Sequence, residues 1–235
     1  MEKVTTLNES VNEILDRVKK AAIAAGRNPE DIILVAATKT VDADRINEAI
    51  SYGIKNIGEN RVQEFTEKFE SIKGDVTHHF IGHLQTNKVK YLVPHIKLIH
   101  SADSEKLLDE IDRISAKHGV VTDVLIEINA SGEESKFGIE FDEAEAIIRG
   151  NEKRENCRIM GLMTIGPNYS TEDQIRDAFR KMKNLFDKLS EIHFEKSSMK
   201  YLSMGMSGDY EIAISEGANI VRVGSAIFGK RNYQI

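Results

Sequence analysis

Cysteine is almost missing from this sequence. Cys157 stands alone among 235 residues, so no intrachain disulfide can form and a Cys-rich zinc site is excluded. That composition fits a reducing compartment, the cytoplasm. Proline is nearly as scarce, at Pro29, Pro94 and Pro167 only. No Ser/Gly tract interrupts the chain either, so nothing reads as a linker and one domain over 1–235 is the expectation. Long hydrophobic runs are absent: none approaches the roughly 20 residues that span a bilayer. The opening segment is charged and amphipathic and lacks the apolar centre of a secretory signal. A basic excess is missing too. With 38 acidic against 32 basic residues and a formal charge of −6, nucleic acid is not an expected partner.

What is present is an ordinary globular balance, 40% apolar and 30% charged, laid out in a repeating pattern. Leu7, Val11, Ile14, Leu15 and Val18 fall at helical spacing, with Gly26 as a C-terminal cap. The almost wholly apolar run 32–37 reads as a strand buried on both faces, as parallel strands are. Strands then recur near 56–58, 79–82, 97–100, 124–128, 158–164, 201–204 and 219–223, with helical periodicities between them. Asp142 and Glu145 form a capping-box pair ahead of one such helix. Eight strand–helix units after a leading helix predict an α/β protein, a single (β/α)8 TIM barrel with an extra N-terminal helix. An open doubly wound sheet is the rival. The first strand–helix turn carries no G-x-G-x-x-G, which weakens a nucleotide-binding version of it.

In such a barrel the chemistry sits at the C-terminal ends of the strands. Lys39 ends the first one. A lysine partly withdrawn from water loses preference for its charged form, becomes a nucleophile and can condense with an aldehyde. The plain alternative is an ammonium that ends a strand and reaches back to water. After the eighth strand, Gly224 and Ser225 open a short helix where barrels frequently bind phosphate. After the seventh, the loop 203–209 carries Gly205, Ser207 and Gly208, suited to a second wall of the same cup. Each loop alone could be an ordinary turn with a serine cap. Arg222 precedes the phosphate turn. Facing inward it is a donor that cannot accept a proton; facing outward it is a surface charge.

The segments 35–40 (VAATKT), 58–60 (GEN), 80–88 (FIGHLQTNK), 161–164 (GLMT), 202–209 (LSMGMSGD) and 222–229 (RVGSAIFG) together carry a resemblance. By these motifs the chain resembles the pyridoxal phosphate homeostasis protein family, also called the proline synthetase co-transcribed homologues. The resemblance implies an alanine racemase N-terminal-domain-like barrel with pyridoxal 5′-phosphate as cofactor, held as a Schiff base on Lys39. It implies phosphate contacts at Ser207, Gly224 and Ser225, and Arg222 beside the pyridine nitrogen, keeping that nitrogen unprotonated. Asn60 and Met206 would line the pocket. His83 lies near the mouth or else is a satisfied core histidine. The segment around Phe137, in the loop 129–139, supports no assignment.

Two function classes remain: a carrier serving vitamin B6 and amino-acid homeostasis, or a racemase. Two-base racemisation needs a group on each face of Cα, and in the related racemases a tyrosine of an additional β-domain supplies the second. The chain ends about a dozen residues after the eighth strand, so that domain is not expected. Tyr169, Tyr201 and His83 are the internal substitutes. An unprotonated pyridine nitrogen is also a weakened electron sink. The carrier is therefore the expectation, with no catalytic residue and no metal. Expected partners are pyridoxal phosphate and the apoenzymes that take it, with a monomer as the expected state. A lysine-dependent aldolase on the same fold is a third possibility, colourless at rest where a cofactor Schiff base is yellow.

Overall fold

The computed structural model describes residues 5–130, 137–167 and 171–229. Helix α1, Leu7–Ala24, leads. Thr6 and Glu9 close a reciprocal capping box at its start, and Leu7, Val11, Ile14, Val18 and Ala22 form its buried stripe. Eight strands follow: β1 Ile33–Ala37, β2 Asn56–Glu59, β3 Thr77–Phe80, β4 Leu98–Ala102, β5 Thr122–Glu127, β6 Cys157–Met163, β7 Tyr201–Ser203 and β8 Ile220–Val223. They pair in parallel in chain order, and β8 pairs back onto β1, which closes the barrel. The helices between them are α2 Ala43–Ser51, α3 Val62–Lys68, α4 Glu105–His118, α5 Ala144–Gly150, α6 Glu172–Ser190 and α7 Tyr210–Ser215, with α8 Ser225–Phe228 after β8. A 3-10 turn at Thr86–Tyr91 takes the place of a helix between β3 and β4. Among the described residues no helix is long and apolar enough to cross a membrane.

Two apolar clusters hold this arrangement. The larger lies between the strands and the helices. The smaller fills the barrel itself: Val35, Ile81, Leu98, Leu125, Met163 and Ile220. Side chains alternate across a strand, so the residues two places further along these strands also point inward, toward the mouth. Lys39, Glu127 and Arg222 each follow an inner-cluster residue at an even interval.

Two local expectations shift. The third strand starts and ends two residues earlier than 79–82, because Ile81 and Gly82 already turn into the mouth. Asp142 and Glu145 make no capping box. Helix α5 starts after Glu143 without a side-chain cap, and the Glu143 carboxylate instead accepts from the Glu140 amide at 3.1 Å. The capping box of this half belongs to Thr171 and Gln174 at the head of α6.

Candidate functional site

The turn after β1 is built from charge. Thr38 is buried, and its amide donates to the Gly58 carbonyl at 2.9 Å. Its hydroxyl lies 3.1 Å from both that carbonyl oxygen and Glu59 Oε2. Thr40 takes φ 64°, a left-handed conformation uncommon for a β-branched residue. It is held there by its amide, which donates to Glu64 Oε2 at 2.7 Å. Lys68 sits under the turn. Its ammonium donates to Glu64 at 2.8 Å, and to Glu59 and the Thr38 carbonyl at 3.1 Å each. Burial, opposed by Lys68, pushes the Glu59 carboxyl above its ordinary range. Burial acts the same way on Glu64, but the bonds from Lys68 and the Thr40 amide outweigh it and leave that carboxyl low. Lys39, half-buried, projects from the turn that this cluster fixes.

The facing wall comes from the other end of the chain. Lys39 and Thr40 share a cleft of about 370 Å³ with Gly224, Ser225, Phe228 and Gly229, and Arg45 reaches it from α2. The Ser207 hydroxyl accepts from the Gly224 amide at 3.1 Å and from the Ala226 amide at 3.5 Å. The loops after β7 and β8 are thereby joined, and two backbone donors converge on one oxygen. Met206 beside it is exposed. Asn60 has a buried Oδ1 without a hydrogen-bond partner. Its backbone packs so closely on Gly82 that a Cβ there would run into the Asn60 carbonyl. Neither Met206 nor Asn60 is among the residues lining the cleft.

Arg222 points inward. It is buried and donates to the Ser203 carbonyl at 3.1 Å, Ser203 Oγ at 2.6 Å and the Thr164 carbonyl at 2.8 Å. Burial, opposed by Glu127 and Asp209, brings its pKa down to about 10. Glu127, at the end of β5, is itself buried. Burial raises its pKa to about 7, with Arg222 opposing and Asp103 adding to the rise.

His83 is not a core histidine. It is partly exposed, lies 3.3 Å from Asp103 Oδ2 and stacks on Phe137 at 3.8 Å. Tyr201 starts β7 and borders a separate cavity with Asn56, Lys97 and Asp123, so it lies at the end of the barrel away from Lys39. Tyr169 lies outside the described residues. Among those residues no cluster of three or more metal-binding side chains occurs.

Sequence reading did not identify Glu59, Glu64, Lys68, Arg45 or Glu127, nor the histidines behind Arg222. Two signals were available. Glu64 and Lys68 stand at i, i+4, the spacing of a helix ion pair. His79 and His100 each lie two residues from an inward-facing apolar residue, Ile81 and Leu98.

The residues around the cleft fit a phosphorylated aldehyde: the Lys39 amine on one wall and, on the other, the Gly224–Ser225 turn, which the Ser207 hydroxyl braces. Residues 12–232 match the family described as the alanine racemase N-terminal domain. Over 226 residues the chain is 44% identical to the pyridoxal phosphate homeostasis protein of Aquifex aeolicus, covering 96% of this chain and 98% of that one. A protein of unknown function from Bifidobacterium adolescentis superposes with a TM-score of 0.89 at 36% identity, covering 97% of this chain and 98% of that one. PipY of Synechococcus elongatus, solved with PLP bound, does so at 0.79 and 30% identity, over 91% of this chain and all of that one.

Proposed function

The chain belongs to the pyridoxal phosphate homeostasis protein family, and from that premise we propose that it holds pyridoxal 5′-phosphate as a Schiff base on Lys39. The observation that carries this proposal is the cleft shared by Lys39, Gly224 and Ser225, whose volume lies within the range of small-ligand sites. Ser207, Gly224 and Ser225 hold the phosphate. Arg222 lies beside the pyridine nitrogen, and Asn60 and Met206 complete the pocket. When bound, the cofactor supplies an electron-withdrawing ring and a reactive aldehyde carbon.

The role we propose is carriage and supply of the cofactor, in vitamin B6 and amino-acid homeostasis, without robust catalysis. Arg222 supports it: a guanidinium against the ring nitrogen is a donor that gives up no proton under ordinary conditions, and two cations repel. The position of Tyr201 supports it as well, since that phenol cannot serve the mouth. We further propose that the chain works in the cytoplasm as one domain and one subunit, passing its cofactor to apoenzymes.

Two measurements test this. The purified protein is expected to be yellow, and Lys39→Ala is expected to lose the visible band; a Lys39→Ala protein with the full band overturns the site. For the role, amino acids incubated with the protein in deuterated water are expected to keep their α-proton. Exchange at about 1 per second or more overturns the carrier in favour of a racemase.

A further inference from the structure

Behind Arg222 lies a row of buried polar groups that the proposed function does not use. Ser203 Oγ is 3.0 Å from His100 Nδ1. His100 Nε2 is 3.0 Å from His79 Nδ1. His79 Nε2 is 3.2 Å from Asn56 Oδ1. The row crosses the barrel interior from β8 through β7, β4 and β3 to the start of β2. Both histidines are buried, His100 completely.

The direction of the row follows from its last member. The Asn56 Oδ1 oxygen only accepts, so His79 Nε2 carries a proton and donates to it at 3.2 Å. A neutral His79 then accepts on Nδ1 from His100 Nε2–H at 3.0 Å. His100 Nδ1 in turn accepts the Ser203 hydroxyl proton at 3.0 Å. Ser203 Oγ keeps its lone pairs for Arg222, which donates to it at 2.6 Å. Each donor is used once, and both imidazoles are neutral. Burial keeps them so: it holds His79 at about 4 and His100 well below the ordinary histidine range, with Arg222 adding to the depression of His100. An apolar filling of this layer would pack the barrel without desolvating these groups. What the row adds is a fixed orientation for one guanidinium.

We propose that His79 and His100 are positioning residues: acting through Ser203, they lock the Arg222 guanidinium in place and thereby set the protonation state of the cofactor's pyridine nitrogen. The second half of this statement rests on the proposed cofactor site; the first half does not.

The test has two arms. In the cofactor-free protein, side-chain nitrogen–proton NMR is expected to show both histidines protonated on Nε2 and unchanged from pH 5.5 to 9. A proton on Nδ1 of either ring, or a titration near the ordinary histidine pKa, overturns the row. In the loaded protein carrying pyridine-¹⁵N cofactor, the wild type is expected to give one pH-independent nitrogen shift. His100→Leu and Ser203→Ala are expected to move that shift and make it vary with pH. His100→Asn, whose Oδ1 can accept from Ser203 in place of Nδ1, is expected to restore it. An unchanged shift in Ser203→Ala and in either folded histidine variant (His100→Leu or His79→Leu) overturns the positioning role. A wild type that takes up no cofactor sinks the cofactor site alone, and the tautomers of the first arm then decide the row.

Discussion

The two walls of the barrel mouth are built on different electrostatic plans. Under Lys39, three formal charges are packed together: the Lys68 ammonium bonded to Glu59 and Glu64. Under the phosphate-suited turns, Arg222 is bonded to neutral oxygens, with the neutral Ser203 and His100 behind it. The first plan resists strain, because it holds Thr40 in a left-handed turn and so fixes where Lys39 leaves the backbone. The second fixes the direction of one donor. A buried ion cluster is severely weakened when one partner is removed. A neutral row is sensitive to pH instead, because its members must stay uncharged.

The largest expected effect tests the first wall. Lys68→Met leaves two carboxylates without their shared cation, and the loss is expected to be about 3–5 kcal/mol in urea unfolding at pH 7. A loss below about 1 kcal/mol would mean that the turn does not depend on the cluster. The second wall is broken by protons. His79, with a pKa depressed to about 4, contributes stability that is present above about pH 6.5 and lost as the pH falls through 4. Glu127, raised to about 7, does the opposite: its contribution is present below about pH 4.5 and lost as the pH rises through 7. Each shift corresponds to about 3 kcal/mol, and in the wild type the two largely offset. Glu127→Gln is therefore expected to gain about 3 kcal/mol at pH 8, nothing at pH 4, and to unmask the acid loss of the histidines. A pH-independent gain would contradict the raised pKa.

Smaller effects sharpen the contrast. Ser207→Ala removes the oxygen that joins the Gly224 and Ala226 amides, at a cost of about 1 kcal/mol. It is also expected to weaken binding of inorganic phosphate in titration calorimetry, and equal affinity would place the anion elsewhere. Thr40→Gly relieves a left-handed β-branched residue, but glycine loses more entropy on folding. A net gain of about 0.5–1 kcal/mol is expected, and a loss would show that the Thr40 side chain contributes more than its strain costs.

The barrel was legible because its signal is periodic. The segment 32–37 is a continuous apolar run and 124–128 is one interrupted only by Glu127, and the structure places β1 and β5 there. The third strand slipped at both ends: it starts on the polar Thr77 and His78, and the apolar Ile81 lies past its end while still filling the barrel. The sequence showed Lys39, Ser207, Gly224 and Ser225 as separate signals, and chain closure between β1 and β8 explains their meeting. The groups that hold these residues were not legible. Lys68 lies 29 positions after Lys39, and His100 lies 103 positions before Ser203. Their partnerships depend on which interior layer each strand residue occupies, and strand register sets that layer. Capping signals were ambiguous for a local reason. Asp142 with Glu145 and Thr171 with Gln174 share the same spacing, but only the second pair sits at a true helix start.

The central claim is that Lys39 is the residue that holds pyridoxal phosphate. Borohydride reduction of the yellow protein followed by peptide mass mapping tests it most directly. One phosphopyridoxyl group on Lys39 is the expected result. A group fixed on any other lysine, or no group at all, contradicts it.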